Sequence, residues 1–179
     1  MNDTVVTRWF GAGFARLDPL LQQLHRDGGV LQGAIDLDVR PAGRRLARRL
    51  GIPVDRPRCD FSVAIRHERD ALVWERRFDA ARTLRSVFVP HGRWPDGYWI
   101  ETTGAFALRL AVDVVDGGWH WRLLGTRIAG IPLPAWLMPT THAFKRIEQG
   151  RYRFDVEIAQ PPFGKLLGYG GLLDVAPHA

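Results

Sequence analysis

One cysteine, two lysines and no long apolar run set the first limits on this 179-residue chain. Cys59 on its own excludes an internal disulfide and a thiolate metal cluster, and it reads as a small buried hydrophobe. No apolar stretch approaches the roughly 20 residues of a helical membrane span. Residues 1–10 lack the basic start and apolar middle of a signal peptide, so the expected compartment is cytoplasmic. The six histidines are dispersed without metal-ligand spacing. No serine sits in a nucleophile elbow, and no glycine-rich phosphate loop follows a strand-like segment. The residues therefore point to no catalytic set, no metal and no cofactor. With Lys145 and Lys165 the only lysines, the net charge of +6 is carried by arginine. The arginines are scattered and do not alternate with aromatics along an exposed strand, which argues against nucleic acid as a partner.

What the sequence has in abundance is period-two alternation. Around Asp116-Gly117, a turn pair suited to a two-residue hairpin, Val114 falls opposite Trp119, Val112 opposite Trp121 and Leu110 opposite Leu123. Paired residues share a face, so both apolar rows land on one side. A turn at Arg69-Asp70 sets His67 against Leu72, Ile65 against Trp74, Val63 against Arg76 and Phe61 against Phe78. A third hairpin about Gln149-Gly150 pairs Thr141, Ala143, Lys145 and Ile147 with Ile158, Val156, Phe154 and Tyr152. Its other face sets His142 against Glu157 and Phe144 against Asp155.

The remainder frames these hairpins. Residues 5–24 read as helical in one or two pieces, with Asp18-Pro19 as N-cap and first helical position and His25 at the helix end, where a histidine suits the negative dipole. Residues 31–39 read as a first strand. Residues 44–50 form a short basic helix bearing Arg44, Arg45, Arg48 and Arg49, stopped by Gly51 and Pro53. Residues 84–89, 98–102 and 166–175 supply further strands. Residues 130–139 are different: Pro132, Pro134 and Pro139 preclude a regular strand in an otherwise apolar run.

The chain is thus expected to be a single domain over residues 1–179, mainly β, with residues 1–53 packed on the antiparallel sheet of 59–175. About nine closely spaced strands make a meander, either an antiparallel β-barrel or a strongly curved sheet, with N-terminal helices and a short helix between the first two strands. The barrel solution is lipocalin-like, with room for one small ligand. A helix-grip fold of the START type fits less well, because its long C-terminal helix has no counterpart.

From about Leu24 onward the sequence resembles a bacterial family known only as domain of unknown function 4166. The resemblance rests on Leu24-His25 before a glycine, Trp74-Glu75-Arg76-Arg77-Phe78, Gly130-Ile131-Pro132-Leu133-Pro134 with Trp136 and Pro139, Arg153-Phe154-Asp155-Val156, and Pro162-Phe163-Gly164 leading to Tyr169 and Gly171. The family occurs alone or behind saccharopine-dehydrogenase-like domains, and the resemblance implies no catalytic residues.

Arg76 is the most informative polar residue. Its hairpin register puts a guanidinium on the apolar row between Trp74 and Phe78, where an unpaired charge costs several kcal/mol. It must face a carboxylate such as Glu101, a cavity or a ligand head group. The leading expectation is a non-enzymatic barrel that binds an apolar or amphipathic, lipid-like small molecule, with Arg76, Trp74, Glu101, Trp121 and Tyr169 at the ligand. The alternatives are an enzyme of lipid or carbonyl chemistry using Arg76, Glu101 and Tyr169, and an interaction or homodimerisation module. Peripheral membrane contact is expected, if anywhere, through Arg44–Arg49 or through 131–138, with Ile131, Trp136 and Met138; the latter segment is also the expected dimer contact. His142 facing Glu157 admits an acid–base pair or a surface pair.

Overall fold

The computed structural model describes residues 3–79 and 83–176. Helix α1 (Val5–Phe10) starts at Thr4, which forms a reciprocal capping box with Thr7. A 3-10 turn (Gly11–Arg16) leads to α2 (Pro19–Asp27), whose N-cap Asp18 accepts a hydrogen bond from the Leu20 N–H. Strand β1 (Gly29–Val39) follows, then α3 (Arg44–Arg49). The rest is strand: β2 (Arg58–His67), β3 (Leu72–Phe78), β4 (Leu84–His91), β5 (Tyr98–Thr103), β6 (Phe106–Val115), β7 (Gly118–Ile128), β8 (Ile131–Pro132), β9 (Thr140–Glu148), β10 (Arg151–Gln160) and β11 (Gly164–Val175).

Each stave lies antiparallel beside its neighbours, in the order β1 to β7, then β9, β10 and β11. β11 pairs with β1, and β6 with β7, so the ribbon closes into a ten-stranded barrel with no free edge among its staves. The two-residue β8 hangs outside on β7. Closure decides between the two architectures expected from sequence, and it draws β1 into the wall between β2 and β11.

The three hairpins have the registers that alternation demands. Val114 faces Trp119, Val112 faces Trp121, and Leu110 faces Leu123. Arg76 faces Val63, and Lys145 faces Phe154. Asp116 and Gly117 both take positive φ (48° and 76°), the mirror-image turn whose twist suits a two-residue hairpin. Beyond Leu110 the pairing slips at Leu124, since Arg109 sits opposite Gly125. Residues 131–138 contain the small strand β8 and a 3-10 turn (Ala135–Leu137) entered from Pro134.

The two ends of the barrel differ. The turns at 68–71, 92–97, 116–117 and 149–150 share the end closed by α1 and α2. Asp18 N–H donates to the Gly117 carbonyl, Trp94 N–H to that of Trp9, and the Trp9 indole to that of His91. Phe10 packs edge-on against Trp119 (4.9 Å), and Trp9 against Trp99 (5.2 Å). This aromatic plug makes one floor. At the opposite end lie α3, the 131–138 segment and the turn at 161–163. Outward rows carry ion pairs such as Arg122–Asp113 (2.9 Å) and Arg151–Asp174 (2.7 Å), a surface that suits water rather than hydrocarbon. No described helix is long and apolar enough to cross a membrane.

Candidate functional site

Inside the barrel lies a cavity of about 500 Å³, within the size range of small-molecule pockets. It runs from the plug towards the far end, where Leu46, Leu50, Leu133 and Pro139 contribute to its lining. Its wall is mainly apolar, with Phe61 of β2, Leu108 and Leu110 of β6, and Phe154 and Val156 of β10. Trp74, Arg76, Glu101, Trp121 and Tyr169 all line it. Large aromatics do not fill it: Trp119 is withdrawn into the plug and 0% exposed, while Trp74, Trp121 and Phe106 stand on the wall.

The Arg76 guanidinium donates from Nη2 to Glu101 Oε1 at 3.0 Å, with the two side chains only 12% and 13% exposed. The Thr103 hydroxyl donates to the same carboxylate oxygen (3.3 Å) and in turn meets Ser86 Oγ. Arg76 also lies 5.3 Å from the centre of the Trp74 ring. Burial works against the guanidinium charge, but the charge and hydrogen bond of Glu101 oppose that, so Arg76 stays charged. Burial likewise pushes the Tyr152 and Tyr169 hydroxyls up from the usual phenol range, and both remain neutral donors at physiological pH. Arg76 is thus matched by its own carboxylate, and the pair needs no ligand anion for neutrality. Trp74 Nε1, Thr126 Oγ1 and Thr141 Oγ1 are buried side-chain atoms of the same lining residues with no partner among the described residues.

Nearer the plug stands a residue that the sequence reading did not single out. Lys145 is 2% exposed, lines the cavity, and places Nζ 2.6 Å from His25 Nε2. It lies 3.8 Å from the Trp119 ring centre and 4.2 Å from that of Trp74. His25 is fully buried, so its expected role as a cation at the helix end is corrected: burial, and then Lys145, hold its ring well below the usual histidine range. Its Nδ1 lies 2.9 Å from the Leu21 carbonyl, which can only accept, so Nδ1 carries the hydrogen and Nε2 presents a lone pair to Lys145. The signal was available. Lys145 sits on the inward row of its hairpin as Arg76 does, and His25 falls on the Leu21–Leu24 stripe of α2.

Other candidates separate from this site. His142 is exposed on the outer face; although it stands opposite Glu157 in register, that carboxylate pairs with Lys165 at 2.9 Å. Cys59 is buried, and burial first, with Asp79 and Asp60 after it, raises its thiol pKa to about 11. Among the described residues no cluster of three or more His, Cys, Asp or Glu side chains is placed to hold a metal ion.

A family model described as "Domain of unknown function (DUF4166)" matches residues 17–173, nearly the whole barrel with α2. No curated protein matches the chain.

Proposed function

We propose that this chain, which belongs to the DUF4166 family of domains of unknown function, binds one amphipathic small molecule in its barrel, with the polar head inward and the apolar part towards the end carrying α3. The observation that carries this reading is the Arg76–Glu101 pair on the wall of an otherwise apolar cavity of about 500 Å³. Packed hydrophobic residues would serve stability at least as well as a buried ion pair. Its polar edges, with the Trp74 indole N–H, give a ligand head several donors and acceptors. Because Glu101 already balances Arg76, and burial disfavours a charged Lys145, the favoured head is uncharged: a hydroxyl or carbonyl rather than a carboxylate.

Trp74 and Trp121 on the wall make tryptophan fluorescence the natural readout. Decanol should quench saturably at one equivalent and bind more tightly than decanoate at pH 8. Filling the cavity by Ala143→Trp should abolish the response with the fold intact by circular dichroism. Saturable quenching that survives Ala143→Trp would place the binding outside the barrel and end this reading.

The far end supports a second proposal about how such a ligand arrives. Ile131, Trp136 and Phe163 are 71%, 74% and 68% exposed there, and Arg44, Arg45, Arg48 and Arg49 of α3 are exposed beside them. The Gln160 side chain ties the two loops together through the Leu137 carbonyl. Exposed apolar side chains at the same end as a run of arginines suit an anionic lipid surface. Co-sedimentation with phosphatidylserine vesicles but not with pure phosphatidylcholine vesicles is the expected result; equal binding to both, or to neither, counts against it.

A further inference from the structure

We propose that Lys145 is a covalent capture point for a carbonyl ligand, its Nζ condensing with an aldehyde carried into the barrel by an apolar chain. The inference rests on the cavity reading above and specifies the head group that the cavity holds.

The chain contains only two lysines, and their surroundings are opposite. Lys165 is clamped between Glu157 (2.9 Å) and Asp38 (3.1 Å), a surface ammonium held charged by two carboxylates. Lys145 is turned into the barrel and has no carboxylate within salt-bridge distance among the described residues. The one acid on the cavity wall, Glu101, is occupied by Arg76 and Thr103. A structural lysine at this depth would be expected to have a carboxylate partner. The aromatic rings around Nζ favour the ammonium. Burial opposes it, the Arg76 charge adds to burial, and the amine is driven well below the usual lysine range. An uncharged amine beside a cavity is a nucleophile.

His25 completes the arrangement. With Nδ1–H committed to the Leu21 carbonyl, Nε2 accepts one N–H of Lys145, the only hydrogen bond of that amine among the described residues. The nitrogen lone pair is then not engaged by a protein donor. The step balances without any oxidant or reductant. The lone pair attacks the carbonyl carbon and the C=O π pair moves to oxygen. One amine proton passes to that oxygen by way of His25 Nε2, giving a carbinolamine. The nitrogen then expels hydroxide, which leaves as water with the second amine proton, and the C=N bond forms. The products are an imine and one water. Arg76, Tyr152 and Tyr169 supply donors on the same wall for the developing alkoxide. The apolar wall favours an aldehyde on a hydrocarbon chain.

The test uses the intact protein, decanal and cyanoborohydride, with peptide mapping by mass spectrometry; decanol, the same chain without a carbonyl, is titrated in parallel by tryptophan fluorescence. The expected result is a single reduced adduct on Lys145. Each unit by which the amine pKa is lowered raises its free-base fraction at neutral pH about tenfold, so labelling of Lys165 should be at least about tenfold slower. The Lys145 labelling rate should reach its plateau at a lower pH than that of Lys165. His25, His67, Arg76, Glu101, Tyr152 and Tyr169 are the other titratable groups of this region; of these only His25 and His67 have an ordinary range near neutrality, and burial lowers both. Lys145→Met should remove the adduct with the fold intact by circular dichroism. Decanol bound with no adduct on Lys145, or with Lys165 or the α-amine labelled equally fast, overturns the inference and leaves the cavity reading standing. Failure of both decanol binding and labelling overturns both.

Discussion

Removing one member of the Arg76–Glu101 pair is the most direct probe of the interior. In Arg76→Met the thioether keeps the volume of the stem, but Glu101 is left with the Thr103 hydroxyl as its sole partner among the described residues. Breaking a buried pair typically costs 3–5 kcal/mol, because the survivor is an uncompensated charge. Both groups border a cavity that admits water, so the lower end applies, about 3 kcal/mol. For a domain of this size that corresponds to a fall of roughly 6–12 °C in Tm. The double variant Arg76→Met/Glu101→Leu removes both charges and should return to within about 1 kcal/mol of wild type, since hydrophobic replacement of a buried pair is often neutral or stabilising. Urea unfolding followed by far-ultraviolet circular dichroism measures all three proteins, and the second single variant, Glu101→Leu, closes the cycle. If Arg76→Met costs less than about 1 kcal/mol, or the double variant is as unstable as the sum of the singles, the pair is solvated and the argument from its burial fails.

Three further outcomes follow from the same interior. Between pH 7 and 9 the stability of the wild type should rise: Lys145 has a lowered folded-state pKa, the unfolded chain binds more protons, and the slope is positive, up to about 1.4 kcal/mol per pH unit while the group titrates, whereas the matching rise from His25 lies below about pH 6.5. Lys145→Met should flatten that rise above pH 7.5 in urea titrations, whereas above pH 10 the raised tyrosine pKa values turn the slope downward in both proteins. Gly43→Ala should lower Tm, because a Cβ at Gly43 would stand 2.0 Å from the Leu166 carbonyl oxygen, and overpacking of this kind costs about 1–3 kcal/mol. Trp136→Ser should leave stability within about 0.5 kcal/mol, as an exposed position does, yet weaken binding to phosphatidylserine vesicles.

The fold was legible wherever one face of a strand is buried. In the hairpins about Asp116-Gly117, Arg69-Asp70 and Gln149-Gly150, a slip of one residue would turn each apolar row outward, so alternation alone fixes the pairing. Closure was not legible. It depends on β11 reaching β1 across almost the whole chain and on Trp119 meeting Lys145 across the β8 excursion, and period-two patterning is the same for a closed and an open sheet. Arg76 was legible because a charge interrupts an apolar row between Trp74 and Phe78. Lys145 interrupts its own row just as plainly, between Ala143 and Ile147. What concealed it was the hairpin's outer face, where His142 and Glu157 offered a more familiar acid–base pairing. His25 was concealed by its place at the end of α2: a helix end suits a solvated cation, and only the plug's position over the barrel decides that this end is buried.

Why three inward rows should be broken at all is the remaining question, and stability does not answer it. Arg76 on β3, Glu101 on β5 and Lys145 on β9 each occupy a position where alternation calls for an aliphatic side chain, and each is less favourable there than leucine. Arg76 and Glu101 offset one another. Lys145 has no such compensation: His25, its one hydrogen-bond partner, is itself a buried base whose ring would be easier to bury as phenylalanine. Two polar residues from distant parts of the chain, α2 and β9, thus meet at 2.6 Å beneath a cavity, at a cost that packing alone has no reason to bear. Such a pairing is what the proposed ligand would require, a molecule that enters from the α3 end and finds its polar partners only at depth. On that proposal the inner end of the cavity, rather than its rim, is where the chemistry of the molecule is read.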